Sequence, residues 1–260
     1  MKCKEILQIL SEDFPANRAY SWDNVGLLLG REDKNIRKIL IALDATDEVI
    51  EEAKVLQVDM LLTHHPLLFS PVKTIVDTNF IGKRIIELIQ SDIAYVALHT
   101  NYDIMRMSDL ASERLGLEDT VPLEPCQDVE VLGLGKFGNL PESCSLQQCA
   151  ELTKEAFDLN NVRVFPSVHN VISKVAVLPG SGKGAIKEAI DLGADVLITG
   201  DIGHHEGIDA TSQGLSIIDA GHYGMEYIFI EDMRAYLEHQ LAAEKIEILA
   251  YRIEHPFFTI

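Results

Sequence analysis

The chain has 260 residues, enough for one large domain or two modest ones. Apolar residues make up 47% and charged residues 24%, an ordinary globular composition that excludes disordered and fibrous classes. Acidic residues outnumber basic ones by 41 to 22, a formal net charge of −19, which argues against nucleic acid and anionic membranes as partners.

Short β-rich segments alternate with segments of helical periodicity. In the first half we predict a helix at Lys4–Leu10, a strand at Ile39–Leu43, a helix at Asp47–Gln57, a strand at Met60–Thr63, a helix at Phe80–Gln90, a strand at Ala94–His99 and a helix at Ser108–Leu115. The proline-containing segment Glu118–Asp128 is predicted to cross between two halves. In the second half we predict strands at Val175–Leu178, Val196–Thr199, Ser216–Asp219 and Ile246–Ile253, with helices at Ala185–Leu192 and Gly224–His239. This alternation predicts an α/β fold with mainly parallel sheets.

The two halves resemble each other at a constant offset of 136 residues. Ile50 matches Ile186 and Asp59 matches Asp195 at this offset, without gaps over some 25 positions. Duplication is the favoured explanation, and chance similarity between two ordinary βαβ units is the alternative. We therefore predict two pseudo-repeated α/β lobes, 1–127 and 128–260, with no inserted domain. Ligands bind at the carboxyl ends of strands in such sheets, which predicts a site in the crevice between the lobes.

Histidines and carboxylates follow several of the predicted strands. His64 and His65 come directly after Met60–Thr63, in an apolar setting that favours ligand roles over a pair of surface histidines. His222 and Glu226 are one helical turn apart, although this spacing alone is also common in surface pairs.

Asp103 also lies just past a predicted strand, where it is either a ligand or a helix N-cap. Three imidazoles and two carboxylates are more than one tetrahedral zinc ion takes, so the set predicts two ions. Two ions about 3.5–4 Å apart activate water for hydrolysis. Because no cysteine takes part, Zn, Mn, Fe, Co or Ni is expected.

Five motifs taken together resemble one known family. They are Trp22-Asp-Asn-Val-Gly26, Thr63-His-His-Pro66, His99-Thr-Asn-Tyr-Asp103, Thr199-Gly-Asp201 and Gly221-His-Tyr-Gly-Met-Glu226. They resemble the GTP cyclohydrolase I type 2 homologs, also called NIF-three-like proteins, over essentially the whole chain. The resemblance implies a two-lobed subunit in a toroidal homohexamer with two divalent metal ions per subunit. It implies the same five metal ligands. We expect Glu226 to bridge the ions, with His64 and His222 on one ion and His65 and Asp103 on the other.

Other residues have weaker assignments. His99, Asp201, His204 and His205 are candidates to line the substrate side, and His204 and His205 are as well explained by hydrogen bonding at a helix start. The loop Gly180-Ser-Gly-Lys-Gly184 lacks the Walker A spacing, so a tight turn is expected rather than phosphate contact.

Two hypotheses for function follow from this pattern. The first is a metal-dependent hydrolase of the cyclohydrolase or phosphoesterase type, with GTP suggested by the family name. The alternative is a non-catalytic metal-binding or regulatory hexameric scaffold, which needs the same ligands. A cytoplasmic location is expected, because the first residues lack the apolar core of a signal peptide and the four cysteines form no CxxC pair.

Overall fold

Strands and helices alternate along most of the chain in the computed structural model, which describes residues 1–168 and 171–258. Up to residue 114 the elements are α1 (Cys3–Asp13), a 3₁₀ turn (Ala16–Arg18), β1 (Gly26–Leu29), β2 (Lys38–Ala42), α2 (Asp47–Val55), β3 (Met60–Thr63), α3 (Phe80–Gln90), β4 (Ala94–Ala97), α4 (Thr100–Tyr102), a π-helical segment (Asp103–Met107) and α5 (Ser108–Arg114). Next come β5 (Glu118–Pro125), β6 (Gly133–Ser145), α6 (Leu146–Ala156), β7 (Arg163–Phe165), β8 (Val171–Ser181), a 3₁₀ turn (Gly182–Ala185), α7 (Ile186–Asp191), β9 (Val196–Gly200), α8 (His204–Ser212), β10 (Ser216–Asp219), α9 (His222–Glu226), α10 (Ile228–Gln240) and β11 (Glu247–Ala250).

The chain divides into two compact units that are not continuous in sequence. The first consists of Met1–Tyr102 and Ile228–Ile253, and the second of Asp103–Tyr227 with the residues that follow Ile253. Helix α10 and strand β11 therefore belong to the first unit, although they lie near the end of the sequence. The predicted lobes 1–127 and 128–260 are continuous stretches instead, and their boundary stays a prediction.

The sheet of the first unit has the strand order β1-β4-β3-β2-β11. Strands β4, β3, β2 and β11 are parallel neighbours, and β1 joins the edge in the antiparallel direction. Every residue of β3 and β4 is buried, as expected for a parallel sheet with both faces covered. Because the central strands are parallel, the chain leaves β2, β3 and β4 at the same edge of this sheet.

The sheet of the second unit has the order β5-β6-β8-β9-β10-β7 and is mixed. Its centre, β8-β9-β10, is parallel, whereas β5, β6 and β7 join in the antiparallel direction. The predicted α/β class is therefore confirmed, and the mainly parallel arrangement applies to the first sheet and to the centre of the second.

Strand β5 replaces the predicted crossing at Glu118–Asp128. Its prolines are tolerated because β5 is an edge strand.

The internal repeat is present in the pairing of the two sheets. Ile39 of β2 pairs with Met60 of β3, and Val175 of β8 pairs with Val196 of β9. Both members of the second pair follow their counterparts by 136 residues, and the next pairs along the strands keep the same offset. Identical register at constant spacing supports duplication over chance similarity.

Asp59 and Asp195 occupy equivalent positions in the repeat and make the same contacts. One carboxylate oxygen of Asp59 accepts hydrogen bonds from two consecutive backbone N–H groups at the start of β2, with N–O distances of 2.8 and 3.2 Å. Asp195 accepts two such bonds from β8, both at 2.8 Å. Each carboxylate thus fixes the approach of two neighbouring parallel strands.

Several predicted elements are found with their predicted bounds, among them Met60–Thr63, Phe80–Gln90 and Ser216–Asp219. Thr46 is the N-cap of α2, and its side chain accepts the N–H of Val49. The single helix predicted at Gly224–His239 is wrong, because α9 and α10 divide that stretch.

Strand β6 is the longest strand that the sequence does not predict. Its sequence contains three glycines and a proline, which have low strand propensity, so pairing with β5 and β8 decides its conformation. Across the described ranges 1–168 and 171–258, no helix has the length and apolar character that spanning a membrane requires.

We expect Asp59→Ala and Asp195→Ala each to lower the free energy of unfolding by about 2 kcal/mol. Each substitution leaves two backbone N–H groups without their acceptor. Urea unfolding followed by circular dichroism measures the change. Asp33→Ala is the control, because Asp33 takes part in an exposed 4.0 Å ion pair and its loss should cost below about 0.5 kcal/mol. An Asp195 variant as stable as the control would contradict the equivalence of the two aspartates.

Candidate metal centre

Three histidines of the first unit follow directly on two parallel strands. His64 and His65 are the first residues after β3, and His99 lies two residues beyond β4. Because β3 and β4 are neighbours, the three rings gather, with one ring nitrogen of each within 4.8 Å of those of the others. His64 is fully buried, whereas His65 and His99 are partly exposed.

The two adjacent imidazoles are oriented by oxygen acceptors. Nδ1 of His64 lies 2.8 Å from the carbonyl oxygen of Leu98, and Nδ1 of His65 lies 2.8 Å from Oδ1 of Asp44. A carbonyl oxygen only accepts, so the proton of a neutral His64 ring resides on Nδ1, and the carboxylate of Asp44 favours the same tautomer in His65. Nε2 is then the nitrogen with the lone pair in both rings. Histidines that bind metal ions have this arrangement.

His99 forms a pair with a buried carboxylate. Its Nδ1 lies 2.9 Å from Oδ1 of Asp23, while Oδ2 of Asp23 accepts from the N–H and the hydroxyl of Thr100 at 3.0 and 2.6 Å. Burial alone would raise the pKa of Asp23, but the hydrogen bonds from His99 and Thr100 outweigh it and lower this pKa to about 2. Asp23 is therefore ionised at neutral pH. An imidazole held by a carboxylate is suited to accepting and returning a proton.

In the second unit, His222 and Glu226 face each other across one turn of α9. Nε2 of His222 lies 2.9 Å from Oε2 of Glu226, and its Nδ1 lies 2.7 Å from Oδ2 of Asp201. Glu226 is only 3% exposed. The second unit thus repeats the pattern of an imidazole whose Nδ1 is held by a carboxylate.

Two glycines provide the space for His222 and Glu226. A Cβ atom at Gly180 would lie 2.3 Å from Oε1 of Glu226, and a Cβ atom at Gly200 would lie 2.5 Å from the backbone nitrogen of His222. Gly180 also has a backbone φ of +80°, a conformation that residues other than glycine rarely adopt. The glycine loop that begins at Gly180 is therefore explained by its contact with Glu226.

Asp103 is the first residue of the π-helical segment and is 9% exposed. One of its carboxylate oxygens lies within 4.8 Å of a carboxylate oxygen of Glu226. Its backbone carbonyl accepts a hydrogen bond from the Ser108 hydroxyl at 2.8 Å. Because α4 precedes it directly, Asp103 lies inside a helical stretch, and the alternative N-cap assignment is wrong. Segments of π-helix are rare and occur often at functional sites.

The side chains gathered in each unit have the chemistry of divalent-metal ligands. In the first unit they are His64, His65 and His99, and in the second they are Asp103, His222 and Glu226. The first unit supplies imidazoles, and the second supplies one imidazole and two carboxylates, a set that suits zinc and the other first-row metals. Two ligand atoms about 2.1 Å from one ion are about 3.0 Å apart at the right angle of octahedral coordination and about 3.4 Å apart at the tetrahedral angle. The 2.9 Å separation between Nε2 of His222 and Oε2 of Glu226 is close to the octahedral value. The described residues therefore include groups that can hold a metal ion.

The four residues predicted to line the substrate side differ in their surroundings. His99 belongs to the histidine group of the first unit. Asp201 bonds to His222 and so positions that ring. His204 and His205 begin α8, are exposed and have ring centroids 5.2 Å apart. Among residues 1–168 and 171–258, neither belongs to a group of potential metal ligands.

The sequence assigns no role to Asp23 or Asp44, although Asp23 lies in the Trp22–Gly26 motif and both residues orient histidines. Asp44 follows β2 closely, as His64 follows β3, so its position after a strand is a signal that sequence reasoning could use. Asp23 follows no strand, and only folding shows that it bonds to His99.

The repeat does not relate His99 to His222. Strands β4 and β10 end at Ala97 and Asp219, which pair with equivalent threonines of the neighbouring strand. His99 follows Ala97 by two residues, whereas His222 follows Asp219 by three. The two His-x-x-x-acid motifs, His99–Asp103 and His222–Glu226, therefore lie one residue out of register in the repeat.

The fold and these residues define a class of protein. It is an α/β protein with imidazole and carboxylate groups at the ends of parallel strands. The family model for Duf34/NIF3 (NGG1p interacting factor 3) matches residues 1–256, and the chain belongs to that family. The resemblance predicted from the five motifs is thus confirmed.

Individual relatives agree with the family assignment. The chain is 34% identical over 259 residues to the GTP cyclohydrolase 1 type 2 homolog of Clostridium perfringens, covering 99% of each. It is 35% identical to the protein of the same name from Methanocaldococcus jannaschii, covering 95% of this chain and 99% of the relative. The crystal structure of a Bacillus cereus protein related to NIF3 matches with a TM-score of 0.93 at 27% identity, covering 100% of this chain and 99% of that one.

We expect Gly180→Ala to weaken metal binding by roughly tenfold or more, because its Cβ atom displaces the Glu226 carboxylate. Equilibrium dialysis against zinc with elemental analysis measures the bound metal. Gly184→Ala in the same loop is the control, since nothing lies within 4 Å of its Cβ position. Equal zinc binding by the two folded variants would show that Glu226 does not bind the metal.

We expect Asp23→Asn to destabilise the protein in a pH-dependent way. Because the folded-state pKa of Asp23 is lowered from 3.8 to about 2, its ionised form stabilises the fold above about pH 4, and this contribution disappears as the pH falls through 2. The contribution at neutral pH is on the order of 2 kcal/mol. Urea unfolding between pH 2 and pH 7 should show the wild-type advantage shrinking towards pH 2. A constant advantage for wild type over this pH range would contradict the role of the Asp23 charge.

Proposed function

We propose that the protein is a metal-dependent hydrolase that binds two divalent metal ions through the five predicted ligands, His64, His65, Asp103, His222 and Glu226. The observation that carries the proposal is the orientation of the imidazoles. In His64 and His65, an oxygen acceptor holds Nδ1, so that Nε2 is the nitrogen able to bind a metal ion. Asp201 likewise holds Nδ1 of His222, whose Nε2 faces Oε2 of Glu226, another proposed ligand, at 2.9 Å. The ligand set is that of the family resemblance.

The distribution of donors supports two ions rather than one. Five side chains exceed the four ligands of one tetrahedral ion, and a carboxylate can bridge two ions. We propose that Glu226 would bridge the ions. The grouping of the donor atoms favours His65 and His222 on one ion and His64 and Asp103 on the other, in place of the pairing expected from the sequence. All donors are nitrogen or oxygen, so Zn, Mn, Fe, Co and Ni are the candidate metals.

Other residues of the chain have further roles in the proposed reaction. Two bound metal ions would supply an activated water molecule and polarise the bond under attack. Asp44, Asp201 and the Leu98 carbonyl hold the ligand rings in one tautomer and orientation. His99, held through Nδ1 by the ionised Asp23, would accept a proton at Nε2 and return it to the leaving group.

GTP is the first substrate to test. The relative from Clostridium perfringens carries the name GTP cyclohydrolase 1 type 2 homolog. Hydrolytic opening of a purine imidazole ring, with release of formate, is the reaction that this name indicates. Phosphoesters and other cyclic amides are further substrates for the same pair of ions.

We also propose a homohexamer that works in the cytoplasm on a small molecule. The family resemblance supports the hexamer. The net charge of −19 supports a small-molecule substrate rather than nucleic acid or an anionic membrane. Light scattering on the purified protein measures the number of subunits.

We expect metal-loaded wild type to contain about two equivalents of metal per chain and Glu226→Gln to lose hydrolysis by about a hundredfold or more. The amide cannot bridge two cations as the carboxylate does. Elemental analysis measures the metal content, and a substrate screen of GTP, other nucleotides and phosphoesters measures turnover. Glu238→Gln is the control, because Glu238 is half exposed in an ion pair with Arg234 on α10.

Two results would contradict this proposal. Protein that binds no metal would remove its basis. Protein that binds two equivalents of metal but turns over no substrate in the screen would favour the alternative, a metal-binding or regulatory hexameric scaffold.

A further inference from the structure

Two exposed aromatic side chains of the first unit, Trp22 and Phe69, lie beside His99. Trp22 is 56% exposed and Phe69 is 57% exposed. Their ring centroids are 5.7 Å apart and lie 6.1 and 6.3 Å from that of His99. Core packing does not account for side chains this exposed, and exposed apolar surface of this kind marks binding sites.

The aromatic pair is held in a fixed arrangement. Tyr20 stacks on Trp22 with ring centroids 5.7 Å apart and planes 16° from parallel. The side-chain amide of Asn24 donates to the backbone carbonyl of Leu68 at 2.7 Å, and this bond joins the segment of Trp22 to the segment of Phe69. Ordering these side chains in the free protein lowers the entropy cost of binding a ligand.

The aromatic pair is also joined to the histidine group. Asp23, the residue after Trp22, bonds to Nδ1 of His99. The ring of His99 lies 5.3 Å from that of His64 and 5.6 Å from that of His65. A molecule that contacts Trp22 therefore lies close to two of the proposed metal ligands.

The geometry indicates which chemical group this surface fits. The planes of Trp22 and Phe69 are inclined at 57°, and both rings meet the ring of His99 nearly edge-on, at 70° and 73°. A flat π system gains more on an aromatic face than a sugar or a phosphate does. With Nδ1 of His99 bonded to Asp23, its Nε2 can accept a hydrogen bond from an N–H group at the edge of a ring.

We propose that Trp22 and Phe69 bind a flat, nitrogen-containing aromatic ring of the substrate, such as a nucleobase, with an N–H edge at His99. The inference rests on the proposed function, because it places the substrate beside the metal ligands. It assigns substrate binding to two residues outside the ligand set.

Trp22 is the only tryptophan in the sequence, so its fluorescence reports on this surface directly. We expect adenosine and guanosine to quench it saturably, and D-ribose, which has no base, to leave it unchanged. Phe69→Ala should weaken nucleoside binding by roughly fivefold or more, since one base–aromatic contact contributes about 1–3 kcal/mol. Phe80→Ala is the matched control, because Phe80 is 64% exposed and lies instead against Arg84.

Calorimetry tests Trp22 itself, because its variants lack the fluorescent probe. Trp22→Phe should retain most of the nucleoside affinity, and Trp22→Ala should lose it by roughly fivefold or more. Circular dichroism verifies that both variants fold. Equal affinity in Trp22→Ala and wild type would overturn the proposal.

The two proposals fail in different ways. Nucleoside quenching in a protein that binds metal but hydrolyses nothing supports the ring surface and contradicts the hydrolase. Hydrolysis of non-aromatic phosphoesters, with no nucleoside quenching and no effect of Trp22→Ala, overturns the ring surface and retains the hydrolase. A change in subunit number caused by Trp22→Ala would show that a second copy of the chain covers Trp22, and it too would overturn the ring surface.

Discussion

An imidazole presents a single defined nitrogen to a ligand only when another group fixes the proton on its second nitrogen. Three histidines of this protein meet that condition, two through carboxylates and one through the carbonyl oxygen of Leu98, whereas both ring nitrogens of His222 lie against carboxylates. The parallel strands make this possible, because they bring the residues that follow them to one edge of the sheet. The fold thus determines the tautomers, and the tautomers determine which atoms can bind a cation.

The two halves of the repeat keep the same scaffold and differ in chemistry. Asp59 and Asp195 preserve the same pair of backbone contacts, which maintains the spacing of neighbouring strands. The residues after the strands have diverged, because the imidazoles of His64, His65 and His99 follow β3 and β4, whereas Asp201, His222 and Glu226 follow β9 and β10. In the second unit, the backbone at Gly180 and Gly200 lies close to Glu226 and His222, and neither glycine position has room for a side chain.

Local pattern predicted the central strands, because their apolar segments and their position between helices depend on nearby residues alone. The five proposed ligands could also be predicted from the sequence, since four of them follow a strand or begin a helical segment and Glu226 lies one helical turn after His222. Strand β6 and the partners of the histidines could not be predicted in this way. β6 is stabilised by its neighbours despite its glycines, and the bond between Asp23 and His99 joins residues 76 positions apart. Only the folded chain shows how much of the Trp22 side chain is exposed.

The first sheet is completed by residues from opposite ends of the sequence. β11 pairs with β2, with Ile248 next to Ile39, more than two hundred residues away. At about 5–20 residues per second, a ribosome needs roughly ten to forty seconds between making β2 and making its outer neighbour. During that interval, the outer edge of β2 exposes backbone groups that attract other strands. The nascent chain must therefore remain shielded from premature pairing while the whole second unit is being synthesised.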